Sequence, residues 1–161
     1  MPFPPSLPFP TPRPARVAVL GVGNELNGDD GAGVRVVRAL AARLAATPGL
    51  LLIDGGVAPE NFTGPIRRFR PDLIVEIDAA HQDQPPGTIA WIDWREADGM
   101  SASTHTLPPS VLASYLTADL GCQMALIGVQ PASLEMGQPL SPAVAAAVDR
   151  LAAQMAEWLT A

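Results

Sequence analysis

The chain has 161 residues, of which 48% are apolar and only 16% are charged. A chain of this length buries roughly 68–70% of its unfolded surface, so it needs neither disulfides nor a structural metal to fold. The composition therefore excludes a disordered protein and a disulfide-rich miniprotein. The single cysteine, Cys122, also excludes an internal disulfide, a zinc knuckle and a paired-cysteine redox site.

The charge balance limits the partners that the chain can bind. The net charge is −6 and all ten basic residues are arginine, which argues against a nucleic acid or an anionic membrane as partner. No apolar run reaches the roughly 18 residues that a transmembrane helix requires. The single cysteine and the lack of a secretory signal pattern predict a cytoplasmic protein, and we expect it to be a monomer.

The chain begins with a proline-rich segment. Residues 1–16 contain seven of the eighteen prolines, and proline lacks the N–H donor that a helix or a sheet needs. We therefore expect residues 1–15 to be a disordered, polyproline-like tail, followed by a single domain at residues 16–161. A ligand for a PxxP-binding protein is the alternative interpretation of this tail.

Beyond the tail, short apolar runs alternate with amphipathic segments. The apolar runs predict buried strands at residues 16–22, 50–56, 72–80, 88–94 and 122–130. The amphipathic segments predict helices at residues 31–46, 59–69, 108–119 and 141–159. Strands that are apolar along their whole length are typical of a sheet covered on both faces. The fold class is therefore α/β, a three-layer αβα domain with a roughly five-stranded sheet.

One strand is expected to run against the others. Only a short segment, rich in Gln and Pro, joins the third and fourth strands, whereas a parallel crossover needs a dozen residues or more. The sheet should therefore be mostly parallel, with one antiparallel strand. Its central core positions should be Val19, Leu52, Ile74, Ile92 and Ile127.

Acidic residues and a histidine stand where predicted strands end. Asp30 follows the first strand, Asp78 closes the third, and His105 lies in the loop after the fourth. In open α/β sheets, sites form beyond the carboxyl ends of the strands, where the strand order reverses. Two carboxylates and one imidazole suit nickel or zinc and leave coordination positions open. We take these three residues as both the candidate catalytic residues and the candidate metal ligands.

Each of these residues also has a simpler interpretation. Asp29 or Asp30 could cap the helix at 31–46, Asp78 could hydrogen-bond a turn, and His105 could be an exposed loop residue. The glycines at the start of GVGNEL resemble a dinucleotide-binding loop. However, the acids that follow would repel a pyrophosphate, and a chain without lysine has no Walker loop.

Five ordered motifs resemble one known family. They are GVGNELNGDDGAG (21–33), IDGGVAPEN (53–61), IDAA (77–80), STHT (103–106) and LIGVQP (126–131). Together they are similar to the nickel–iron hydrogenase maturation endopeptidases, most closely to the branch that serves the hydrogenase of formate hydrogenlyase. The resemblance runs from about Val17 to the final helix and leaves out the proline-rich segment.

The resemblance implies both an activity and a site. Enzymes of this family remove a C-terminal extension from the precursor of the hydrogenase large subunit once nickel is in its active site. Carried over motif by motif, the residues that contact the metal are Asp30, Asp78 and His105. The nickel is then carried by the substrate, and the sequence leaves open whether the free enzyme holds a metal of its own. Two alternatives are a chaperone-like binder of the metallated large subunit that does not cut it, and a small-molecule hydrolase on the same scaffold.

Several residues near these motifs have less certain roles. Glu76 departs from the family pattern, which is usually apolar there, and either faces solvent at a strand edge or lines the crevice. Asn24, Asp29 and Asp54 are expected to shape loops, and His81 to lie in a solvated loop. No residue is a convincing covalent nucleophile, because Cys122 begins a buried-looking strand and no G-x-S-x-G motif is present.

Overall fold

Five strands and four α-helices lie along residues 7–102 and 107–161, the part of the chain that this computed structural model describes, and only the third and fourth strands follow each other without a helix between them. The strands are β1 (Val17–Val22), β2 (Leu50–Gly56), β3 (Leu73–Ala79), β4 (Ile89–Ile92) and β5 (Gln123–Val129). The helices are α1 (Ala32–Arg43), α2 (Thr63–Phe69), α3 (Pro109–Leu120) and α4 (Pro142–Thr160). Three short 3-10 turns lie at Gly28–Gly31, Pro59–Phe62 and Trp94–Glu96.

The strands form one sheet in the order β2-β1-β3-β5-β4. All neighbouring pairs are parallel except β4 with β5, which is antiparallel. This confirms the predicted fold class and the predicted antiparallel strand. From β1 the chain first adds β2 on one side and then β3 on the other, so the strand order reverses between β1 and β3.

Helices cover both faces of the sheet, as a sheet of buried apolar strands requires. Alternate residues of each strand point to opposite faces. Val17 and Val19 of β1 pack in the core that faces α1 and α4, whereas Ala18 and Leu20 pack in the core that faces α2 and α3. This arrangement is the three-layer αβα architecture.

Four of the five predicted core positions are buried. Val19, Ile74, Ile92 and Ile127 belong to the hydrophobic cores. Leu52 is only partly buried, so its assignment as a central core residue is wrong. The physical reason is the strand order, which places β2 at an edge of the sheet.

The proline-rich segment is packed on the domain over residues 7–15. It has no helix or strand there, as predicted, but the Phe9 ring stacks on Trp158 with centroids 4.6 Å apart and meets Trp91 edge-on at 5.7 Å. The indole N–H of Trp158 also donates to the carbonyl oxygen of Pro10 at 2.9 Å. The prediction of a disordered tail is therefore wrong for these residues, because aromatic packing holds them. Residues 1–6 lie outside the described part of the chain.

Within residues 7–102 and 107–161, none of the helices combines the length and the apolar character needed to cross a membrane.

Candidate active site

Asp30 lies in the loop that leaves β1, and the residue is only 4% exposed. Its Oδ2 accepts a hydrogen bond from the main-chain N–H of Asn24 at 3.0 Å. Gly23 makes this loop possible, because its φ is +142° and a Cβ there would lie 1.8 Å from the carbonyl oxygen of Asp30. The other carboxyl oxygen, Oδ1, is buried and has no hydrogen-bond partner among the described residues.

Asp29 has a different task from its neighbour. Its carboxylate accepts hydrogen bonds from the N–H groups of Ala132, Ser133 and Ser141 and from the Ser141 hydroxyl, at 2.7–3.1 Å. It therefore fixes the loop between β5 and α4 to the loop after β1, which confirms that it shapes loops.

Neither aspartate caps α1, so that simpler interpretation is wrong. The N-cap of α1 is Gly31, which has no side chain with which to cap the helix. Asp29 is bound to Ser141 and its neighbours, and Asp30 accepts from Asn24. The 3-10 turn at Gly28–Gly31 that precedes the helix holds both carboxylates. Ser141 is the N-cap of α4 as predicted, but its hydroxyl binds Asp29 and makes no cap hydrogen bond.

Asp78 is the penultimate residue of β3 and is 3% exposed. β1 and β3 are neighbours in parallel register, with Gly21 opposite Ile77, so the ends of the two strands meet where the strand order reverses. The carboxyls of Asp30 and Asp78 are close enough for Asp30 to raise the pKa of Asp78. The Oδ1 of Asp78, like that of Asp30, is buried and accepts no hydrogen bond from the part of the chain that the structure describes.

The burial of both carboxyls changes their proton affinity. Burial raises the pKa of Asp30, and the hydrogen bond from Asn24 partly opposes this effect. Burial raises the pKa of Asp78 well above its ordinary value, and the neighbouring carboxyls of Glu76 and Asp30 raise it further. Both groups therefore hold a negative charge at a cost, which a nearby cation would reduce.

Glu76 is the acid whose position the sequence left open. It is 2% exposed in the middle of β3, which lies in the interior of the sheet, so the alternative that it faces solvent at a strand edge is wrong. It points to the same face as Asp78, because the two are separated by one residue of a strand. Burial raises the pKa of Glu76 to about 7.

The third predicted site residue, His105, lies outside the described residues. Within the described chain, no group of three His, Cys, Asp or Glu side chains is arranged to hold a metal ion. The pair of Asp30 and Asp78 nevertheless fits a divalent cation, because each presents a buried oxygen that no donor satisfies. The other histidine, His81, is exposed as predicted, and its main-chain N–H donates to Met100 at 2.7 Å.

A network of charged side chains lies beside this pair. Arg38 donates to the carboxylate of Glu25 at 2.5 and 3.0 Å and to that of Asp54 at 3.1 Å. The Asn24 side chain accepts from the N–H of Leu26 at 3.0 Å. These contacts fix the loop after β1 against α1 and β2, so Asn24 and Asp54 shape the loops as predicted. A surface groove of about 330 Å³ runs along this loop.

Cys122 lies far from this pair along the sheet. It directly precedes β5, whose first residue, Gln123, pairs with Leu73 at the start of β3, whereas Asp78 stands at the end of β3. Burial raises the pKa of the thiol, which makes it a poor nucleophile. The larger groove of about 640 Å³ next to Cys122 contains none of the predicted site residues.

Comparison with known proteins identifies the family. The family model described as HycI, hydrogenase maturation protease, matches residues 34–158. The hydrogenase 3 maturation protease of Escherichia coli K12 is 34% identical over 143 residues, which cover 87% of this chain and 88% of that protein. The chain belongs to the HycI family of hydrogenase maturation proteases.

Solved structures of HycI-family proteases share the fold. The crystal structure of the nickel–iron hydrogenase maturation protease HycI from Thermococcus kodakarensis is 36% identical in sequence. It aligns with a TM-score of 0.84 over 92% of this chain and 94% of that chain.

A further sequence relative, a putative hydrogenase maturation protease from Methanocaldococcus jannaschii, is 32% identical over 84% of this chain and 83% of its own length. These matches confirm the family and its peptidase activity.

Proposed function

We propose that this protease removes the C-terminal extension of a nickel–iron hydrogenase large-subunit precursor, and that it recognises the precursor by its inserted nickel. The observation that carries the proposal is the pair of buried carboxyls, Asp30 and Asp78, at the reversal of strand order. Each has one oxygen that no group of the described residues hydrogen-bonds. Buried charges are stable in proteins when they are paired or when they bind a metal. A nickel ion brought in by the substrate would complete this pair.

The residues of the chain would hold the substrate's nickel rather than carry a metal of their own. Asp30 and Asp78 would supply one oxygen each, and the imidazole of His105 would supply a nitrogen. This mixed donor set suits nickel and leaves positions for the precursor's own ligands. A divalent ion next to a peptide bond acts as a Lewis acid on that bond.

The proposed partner is the precursor alone, and the enzyme is proposed to act as a cytoplasmic monomer. A net charge of −6 disfavours binding to nucleic acid or to an anionic membrane. A single cysteine, unable to form an internal disulfide, is usual for proteins of a reducing compartment.

The test is to incubate the protease with nickel-loaded and nickel-free precursor and to measure the mass of the large subunit. We expect the loaded precursor to lose its C-terminal extension and the nickel-free precursor to stay intact. A Glu96→Gln variant, altered at an exposed carboxyl in the 3-10 turn after β4, should cut like the wild type. Equal cutting of both precursors would exclude recognition by nickel, and no cutting of either would overturn the proposed substrate.

A further inference from the structure

Glu76 is a buried acid that the proposed reaction leaves without a task. It lies in the interior of the sheet, where its neighbours in register are Leu20 on β1 and Leu126 on β5. Both leucines are buried, and within residues 7–102 and 107–161 the Oε2 of Glu76 has no hydrogen-bond partner. A carboxylate in such surroundings is costly unless a positive charge or a metal compensates it.

Glu76 belongs to the same buried region as the two candidate ligands. It points to the same face of β3 as Asp78, and Asp30 lies next to Asp78 at the end of the strand. Each of the three acids has one buried oxygen that accepts no hydrogen bond from any described residue. Among the described residues, no arginine forms an ion pair with any of the three acids. The ion pairs that the described residues do form join other side chains, at the surface. Within the described residues, no positive charge therefore compensates the three acids when they are ionised.

We propose that Glu76 is a positioning residue that tightens the binding of a divalent cation by Asp30 and Asp78. This inference rests on the proposed function, because the cation is the nickel that the substrate brings. The carboxyl of Glu76 lies on the inner side of Asp78, so its negative charge attracts the cation towards the pair. It acts through Asp78 and is not a ligand itself, since no three such groups among the described residues are arranged to hold a metal.

The experiment titrates Ni²⁺ alone into the purified full-length protein by calorimetry. The variants are Glu76→Gln, which keeps the shape and removes the charge, and Glu76→Leu, which removes both polar atoms. Asp78→Asn shows that the ion binds at the proposed pair, and Glu96→Gln is the matched surface control. Circular dichroism and thermal melting establish which variants are folded, and either Glu76 variant suffices.

Loss of an outer-shell partner typically weakens metal binding about 10–100-fold, and we expect this loss for both Glu76 variants. Glu96→Gln should bind within about two-fold of the wild type. Wild-type affinity in a folded Glu76 variant, or no binding by the wild type, would overturn the inference. A changed d–d absorption spectrum of the Co²⁺-loaded Glu76→Gln protein would also overturn it, because Glu76 would then be a ligand.

Failure of this inference is distinguishable from failure of the proposed function. If the precursor is cut only when loaded with nickel, but Glu76→Gln binds Ni²⁺ like the wild type, the proposed function stands and the role of Glu76 is wrong. If the precursor is never cut, the proposed function falls whatever the titration of Ni²⁺ shows.

Discussion

Asp29 and Asp30 show how two adjacent, chemically identical residues can have opposite tasks. The carboxylate of Asp29 accepts from four donors, whereas Asp30 has one buried oxygen that no donor of the described residues reaches. The sequence predicts that an acid after β1 belongs to the site, because strand ends meet there. It does not predict the anchor role of Asp29, since the partners of that carboxylate lie 103 to 112 residues further along the chain. Long-range partners of this kind leave no local pattern.

This contrast predicts different effects for the same substitution at the two positions. Asp30→Asn should abolish precursor cleavage and change the free energy of unfolding by less than about 1 kcal/mol, because the removed charge is uncompensated in the fold. Asp29→Asn should lower the free energy of unfolding by about 1–3 kcal/mol, because an amide offers its NH₂ to N–H donors. Urea denaturation and the mass assay measure both effects. An Asp30→Asn variant that still cuts would remove Asp30 from the site.

Glu76 predicts a pH dependence of stability whose sign follows from its burial. Its pKa is about 7 in the folded protein against an ordinary value of 4.5. The folded state therefore binds the proton more tightly, and the stabilisation present below pH 4.5 is lost as the pH rises to about 7. Replacing Glu76 by Gln removes this slope. As the pH rises from acid to alkaline, the free energy of unfolding of the variant should therefore increase relative to that of the wild type, by up to about 3 kcal/mol.

Urea denaturation of both proteins at about pH 5 and about pH 8 measures the shift. Because the carboxyl of Glu76 also raises the pKa of Asp78, the difference between the two proteins reports the loss of Glu76 together with its effect on Asp78. A difference that does not change with pH would show that Glu76 titrates normally. The sequence leaves the surroundings of Glu76 open, because an acid inside an apolar run is consistent with an edge strand or with a crevice. Only the strand order decides between them.

At the scale of elements, the segment of residues 7–15 is the main departure from the prediction. Its proline content correctly predicts that it forms no helix or strand. It does not reveal that Phe9 packs between Trp91 of β4 and Trp158 of α4, because these partners come from two distant elements. The lengths and types of the other elements follow from their apolar patterns, and their ends differ by a few residues, as β4 shows by ending at Ile92.

The packing of Phe9 predicts that this segment contributes to stability. Phe9→Ala should lower the free energy of unfolding by about 1–3 kcal/mol, since it removes two ring contacts and partly buried apolar area. Met136→Ala, at a side chain that is 78% exposed, should leave it unchanged. Thermal and urea denaturation of the two variants provide the comparison. Equal stability of Phe9→Ala and the wild type would mean that the segment does not stay docked in solution.

At the scale of the whole molecule, the strand order creates the site. Parallel strands β1 and β3 bring their carboxyl ends together, and the reversal of order between them opens the place where Asp30 and Asp78 meet. The sequence predicts the parallel strands and the antiparallel β4, because connection lengths restrict the topology. It does not predict which strands are neighbours. For that reason the sequence places Leu52 too deep in the core and does not decide the surroundings of Glu76.

The close approach of α1 to the sheet holds this arrangement together. Gly33 in the first turn of α1 leaves so little space that a Cβ would lie 2.0 Å from the carbonyl oxygen of Ile77 on β3 and 2.5 Å from that of Val22 on β1. Both atoms are main chain, so neither can move without shifting a strand next to Asp30 or Asp78. The position therefore couples the packing of a helix to the geometry of the site.

Gly33→Ala should consequently reduce stability and cleavage together. Although alanine favours helices over glycine by up to about 1 kcal/mol, the forced separation of α1 from the strands should cost about 3 kcal/mol or more. Gly64→Ala in α2 is the matched control, because its Cβ would meet only the flexible end of Arg68 at 3.4 Å, and it should be neutral or slightly stabilising. Urea denaturation and the precursor mass assay test both variants. With the packing described, an alanine at position 33 fits only if β1 or β3 moves. Wild-type stability of Gly33→Ala would therefore contradict the close packing of α1.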